Sequence, residues 1–194
     1  HYHQPSTAPD YGIDCSRLPV ASIALPARYV VCLHGTTWDS KHYPVAYWQQ
    51  LIARITAQHM PVLLFWGNNT EKDRAELLAA DNKLVTVVPR CSLAEIAAIL
   101  SKATAVVAVD TGLGHLSAAL HRPTIGLYGA TDPKRTGTEG VNQIHLAATA
   151  PGCTPCLQRI CTYADTSIEK PACYDSINPE RVMQHLLPLL NLTK

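Results

Sequence analysis

The strongest constraint on this chain is a series of five short apolar runs, beginning at Tyr29, Val62, Leu84, Ala105 and Thr124. Each is separated from the next by residues at helical spacing. The runs cover 29–33, 62–66, 84–88, 105–109 and 124–128, and they do not alternate polar with apolar. A strand of that kind is buried on both faces, as in a parallel sheet covered by helices. Parallel neighbours need a crossover, and a right-handed βαβ unit supplies it. The predicted fold is therefore α/β, a Rossmann-like doubly wound parallel sheet.

The intervening segments agree. After Pro44, Trp48, Leu51, Ile52 and Ile55 recur along one helical face, and a second helix is expected over about 70–80. Ser92 and Glu95 have capping-box spacing ahead of a third. A short helical stretch runs to about Leu120, and Asn178-Pro179-Glu180 opens a last amphipathic helix carrying Val182, Leu186 and Leu190. Residues 1–28 hold four of the fourteen prolines and no periodicity. They are expected to be an extended lead-in or linker, with 29–194 forming one ligand-binding domain.

Composition narrows the function. With 47% apolar residues in 194, the chain can bury a full core. A formal charge of +1 leaves no electrostatic footprint for nucleic acid or an anionic bilayer. The richest apolar stretch, 103–109, is far short of a spanning helix. Seven cysteines cannot all pair within the chain, and reduced thiols in the cytoplasm are the default without a secretory signal. Four of them, Cys153, Cys156, Cys161 and Cys173, have the spacing C-x2-C-x4-C-x11-C. A structural zinc site, two disulfides or four free thiols would each fit that spacing.

In an open parallel sheet the ligand sits at the carboxyl ends of the strands, so the chemistry is sought in the loops there. After the first strand, 34–44 combines Gly35, the hydroxyls of Thr36 and Thr37, and Lys41 just before a helix, a set suited to phosphate. It lacks the Gly-Lys-Ser/Thr ending of a Walker loop, and no Gly-x-Gly-x-x-Gly fingerprint follows the first strand. After the second strand, Glu71 is either a ribose-diol acceptor or a carboxylate favouring a helix N-terminus. After the fourth comes Asp110-Thr111-Gly112-Leu113-Gly114-His115-Leu116, an acid, a small-residue turn and a histidine one helical turn on. Such a loop can surround a polar ligand while its N–H groups approach a phosphate. Tyr128-Gly129-Ala130-Thr131-Asp132-Pro133 follows the fifth strand and reads as an Asp-Pro turn.

Together these loops resemble glycosyltransferase family 9, the bacterial lipopolysaccharide heptosyltransferases. The resemblance covers about residues 29–190, and its first loop, Thr-Thr-x3-Lys, looks closest to the heptosyltransferase I branch. The cysteine cluster is more like that of heptosyltransferase II. The resemblance implies the C-terminal half of a two-domain GT-B glycosyltransferase that binds ADP-heptose and needs no cofactor or metal for transfer. By that analogy Thr36, Thr37 and Lys41, with the N–H groups of Thr111 and Gly112, would hold the diphosphate. Glu71 would take the ribose, the backbone at Cys91 the adenine, and Asp110 and His115 the heptose. The catalytic base is expected in the missing N-terminal domain, with the lipopolysaccharide core (lipid A-Kdo) acceptor reached through it, in the cytoplasm with peripheral association at the inner membrane. A non-catalytic nucleotide-sugar module and a structural domain built on a metal at the cysteine cluster are the competing readings.

Overall fold

The computed structural model describes residues 7, 9–163 and 171–191. Six parallel strands form one sheet: β1 (Val30–Leu33), β2 (Val62–Leu64), β3 (Val85–Val87), β4 (Ala105–Val109), β5 (Thr124–Tyr128) and β6 (Gln143–Ala147), in the order β3-β2-β1-β4-β5-β6. Helices α1 (Val45–Thr56), α2 (Asn69–Ala79), α3 (Leu93–Leu100), α4 (Gly112–Ala119), α5 (Pro133–Thr136) and α6 (Pro179–Asn191) accompany them. The strand order reverses between β1 and β4, where Val30 pairs Ala105 and Leu33 pairs Ala108. That reversal opens a crevice above the strands' carboxyl ends.

Strands β1, β2 and β4 feed two apolar layers because successive side chains point to opposite faces. Val30 and Cys32 join Ala105, Val107 and Val109 beneath Trp48, Leu51 and Ile55 of α1 and Val182, Leu186 and Leu190 of α6. Val31 and Leu33 join Val106 and Ala108 on the other face, under Ala97, Ile99 and Leu100 of α3. Close packing of α4 on the sheet needs a residue without a side chain at Gly114, where a Cβ would stand 3.3 Å from that of Ala108. The capping box is present: Ser92 Oγ accepts from Glu95 N, and Glu95 returns a carboxylate to the Ser92 N–H.

Two features differ from the sequence reading. The sheet has a sixth strand, β6, with Leu146 buried and His145 exposed, as befits an edge strand with one neighbour. Among the described residues of 1–28, Cys15–Arg17 form a 3-10 turn, Leu18, Ala21, Ile23 and Leu25 pack on the α3 layer, and the Arg28 guanidinium bonds the carbonyl of Leu190.

Candidate functional site

A cleft of about 350 Å³ lies over the switch point between β1 and β4. Eight of the nine singled-out site residues line it: Thr36, Thr37, Lys41, Glu71, Asp110, Thr111, Gly112 and His115. The ninth, Cys91, does not. It packs part-buried against the α3 layer, with its thiol directed at the Pro89 carbonyl 3.0 Å away.

Lys41 ends a 3-10 turn at Asp39–Lys41, and its ammonium lies 2.8 Å from Asp110 Oδ2. The two side chains are only 15% and 7% exposed, so the pair sits on the cleft wall rather than in bulk solvent. Thr131 and Thr136 also donate to Asp110 Oδ2, at 2.7 and 3.2 Å, and Thr36 Oγ1 donates to the Asp110 carbonyl at 3.1 Å. Three donors on one oxygen fix the carboxylate, and charge-assisted bonds of this kind are the stronger ones. Asp132 behaves as the Asp-Pro turn predicts, accepting from Lys134 N to cap α5.

Glu71 stands in the first turn of α2 and also lines the cleft, and its Oε2 accepts from the Gly67 N–H at 2.7 Å. Gly35 makes room for it, since a Cβ there would lie 3.0 Å from Glu71 Cδ. At the cleft α4 begins. Its N-cap Thr111 makes no side-chain cap, so the first N–H groups of the helix are left for a ligand.

Sequence reasoning missed the apolar part of the lining, formed by Leu33, Phe65, Trp66, Ile96 and Leu113. Trp66 is held by an indole N–H to the Val88 carbonyl at 2.8 Å. It also missed His34, 1% exposed at the base of the cleft with no hydrogen-bond partner for either ring nitrogen among the described residues. Burial first, then the Arg74 guanidinium, lowers its pKa to about 4. The aromatic residue ending the second apolar run was the available signal for the apolar lining. Nothing in the residue pattern marked His34.

The four clustered cysteines line a separate cavity of about 20 Å³ behind the Asp39–Lys41 turn. All are free thiols: Cys153 is exposed, Cys156 and Cys161 are part-buried and Cys173 is buried. Among the described residues no three His, Cys, Asp or Glu side chains are placed to hold a metal ion.

Strand order, switch-point cleft, part-buried lysine and open helix N-terminus together define a Rossmann-like domain with its cleft at the switch point. The family model for glycosyltransferase family 9 (heptosyltransferase) matches residues 1–166, and the chain belongs to that family. It is 44% identical over 198 aligned residues to lipopolysaccharide heptosyltransferase 1 of Pseudomonas aeruginosa, covering 97% of this chain and 55% of that protein. Identity to the Escherichia coli K12 protein of the same name is 42%, over 74% of this chain and 44% of that one. Among solved structures it matches E. coli heptosyltransferase WaaC with ADP at a TM-score of 0.75 and 35% identity, covering 97% of this chain and 52% of that chain. E. coli heptosyltransferase II, at 20% identity and a TM-score of 0.68 over 87% of this chain and 48% of that one, shares the fold. The chain spans about half the length of the curated relatives it matches.

Proposed function

We propose that this chain is the donor-binding half of a lipopolysaccharide heptosyltransferase and holds ADP-heptose in the switch-point cleft. The observation that carries the reading is the convergence of Lys41, Thr36, Thr37 and the open N-terminus of α4 opposite Glu71. A diphosphate calls for the first group and a ribose diol for the second. The solved structures of E. coli heptosyltransferase WaaC, with ADP and with ADP-2-deoxy-2-fluoro heptose, support it by similarity.

In this reading the diphosphate lies between Lys41 and the N–H groups following Thr111. Glu71 accepts from the ribose, and the apolar lining at Phe65, Trp66 and Ile96 flanks the base; Cys91, outside that lining, is assigned no direct contact. Asp110 and His115 face the sugar. Transfer is inverting: a base on the other half removes the proton of an acceptor hydroxyl, whose oxygen attacks the anomeric carbon while ADP departs. Charge grows on the leaving diphosphate, where Lys41 and the helix N-terminus are already aimed. Preorganised electrostatics of this kind need no rearrangement at the moment of reaction.

The acceptor is the lipopolysaccharide inner core (lipid A-Kdo), reached through the GT-B partner domain, and the site of action is the cytoplasmic face of the inner membrane. No helix among the described residues is long and apolar enough to cross a membrane, which fits peripheral association. The test is a transfer assay with ADP-heptose and a truncated lipopolysaccharide acceptor. These 194 residues are compared with a chain that also carries the relatives' other half. The expected result is ADP binding by both and turnover by the longer chain alone. Comparable turnover by the shorter chain would refute the division of labour.

A further inference from the structure

Lys41 is held from two sides. On the cleft side its ammonium meets Asp110, while behind it the Asp39–Lys41 turn is fastened to the cysteine-rich segment by contacts outside the cleft lining. Ser40, 1% exposed, donates its backbone N–H to the Arg159 carbonyl at 3.1 Å and its hydroxyl to the Gln158 carbonyl at 2.5 Å. The fully buried Tyr174 phenol donates to the Lys41 carbonyl at 2.7 Å. The Trp38 ring carries the Lys41 ammonium 4.6 Å from its centroid and the Arg159 guanidinium at 5.5 Å.

Three of the four residues 38–41, Trp38, Ser40 and Lys41, are thus tied to chain that lies well over a hundred positions further on. A lysine side chain is long and rotamer-rich, so holding its ammonium at one point costs entropy. When the turn beneath it is already fixed, less of that ordering is left to be paid on binding. We propose that Ser40 and Tyr174 are positioning residues for the Lys41 ammonium, and that the cysteine-rich segment serves as the rear wall of the diphosphate subsite. The proposal rests on the reading of Lys41 as the diphosphate contact. Neither Ser40 nor Tyr174 lines the cleft, so each acts only through the turn.

The experiment is calorimetric titration of ADP and of adenosine into the chain and into Ser40→Ala, Tyr174→Phe and Lys41→Ala. Both positioning variants are also made on the Lys41→Ala background, and thermal melts check the fold. Each positioning variant should weaken ADP binding by about three- to tenfold, the scale of one newly mobile side chain. Adenosine, which has no diphosphate, should bind within about twofold of the unmodified chain. On the Lys41→Ala background neither change should weaken ADP further, because interacting residues are non-additive. Equal losses for ADP and adenosine, additive losses on the Lys41→Ala background, or unchanged ADP affinity in both variants would overturn the proposal while leaving Lys41 in its role. Unchanged ADP affinity in Lys41→Ala itself would refute the diphosphate reading and the proposal with it. Should Tyr174→Phe fail to fold, Ser40→Ala decides alone.

Discussion

Mild acid should destabilise this fold through His34. The imidazole is 1% exposed at the base of the cleft, and burial, reinforced by Arg74, holds its pKa at about 4 against an ordinary 6.5. Between those values the unfolded chain binds a proton that the folded chain refuses. The His34 contribution to stability is therefore constant above pH 6.5 and is lost as pH drops from there toward 4. At 1.36 kcal/mol for each pH unit, the whole window is worth roughly 3 kcal/mol, and the part above pH 5 about 2 kcal/mol. That is a sizeable share of the 5–15 kcal/mol that typically separates a folded domain from its unfolded state. Urea unfolding at pH 7, 6 and 5 measures it directly, and staying at or above pH 5 keeps most carboxylate titration out of the result. His34→Leu should remove at least half of the loss. The remainder belongs to groups such as His42, whose pKa is also lowered by burial and by Arg74. An unchanged pH slope in a folded His34→Leu chain would show that the buried imidazole is not the sensor.

Lys41→Ala should weaken ADP binding by roughly 1.5–3 kcal/mol, the range for hydrogen bonds to a charged group, as read by calorimetry. It removes the ammonium and leaves the Asp110 carboxylate without its 2.8 Å cationic partner. Asp110→Asn should leave ADP affinity within about threefold, since Asn keeps the shape and Lys41 is no longer held back, while lowering affinity for ADP-heptose. Equal losses for both ligands would make Asp110 structural. Of the cysteines, the buried Cys173 should matter most: Cys173→Ser places a hydroxyl beside the core and should cost about 1–3 kcal/mol in urea unfolding. Cys153→Ser, at an exposed position, should stay within about 0.5 kcal/mol.

The central strands were legible because burial on both faces writes itself into an unbroken apolar run, and β4 and β5 coincide with theirs. The edge was not. In β6, Ile144, His145 and Leu146 alternate over five residues beside a single neighbour, too short a pattern to separate from a loop. The polar half of the cleft could be read because it stands directly after strand ends, where hydroxyls, a lysine and an acid are conspicuous. What those residues do to one another could not. Lys41 and Asp110 are 69 positions apart, and only the β1–β4 pairing brings their loops together. Thr131 and Thr136 sit unremarkably in and beyond an Asp-Pro turn until the fold aims both hydroxyls at Asp110. Cys91, which the resemblance named for a backbone contact, packs against the α3 layer and is not among the residues lining the cleft.

Whether the switch-point cleft recognises a nucleoside diphosphate and the heptose attached to it is decided by titrating ADP-heptose, ADP and a uridine diphosphate sugar into this chain, with Asp110→Asn in parallel. ADP-heptose and ADP should bind, the uridine compound should be at least tenfold weaker, and Asp110→Asn should erase the advantage of ADP-heptose over ADP. Equal affinity for all three, or an ADP-heptose advantage that survives in Asp110→Asn, would contradict such recognition.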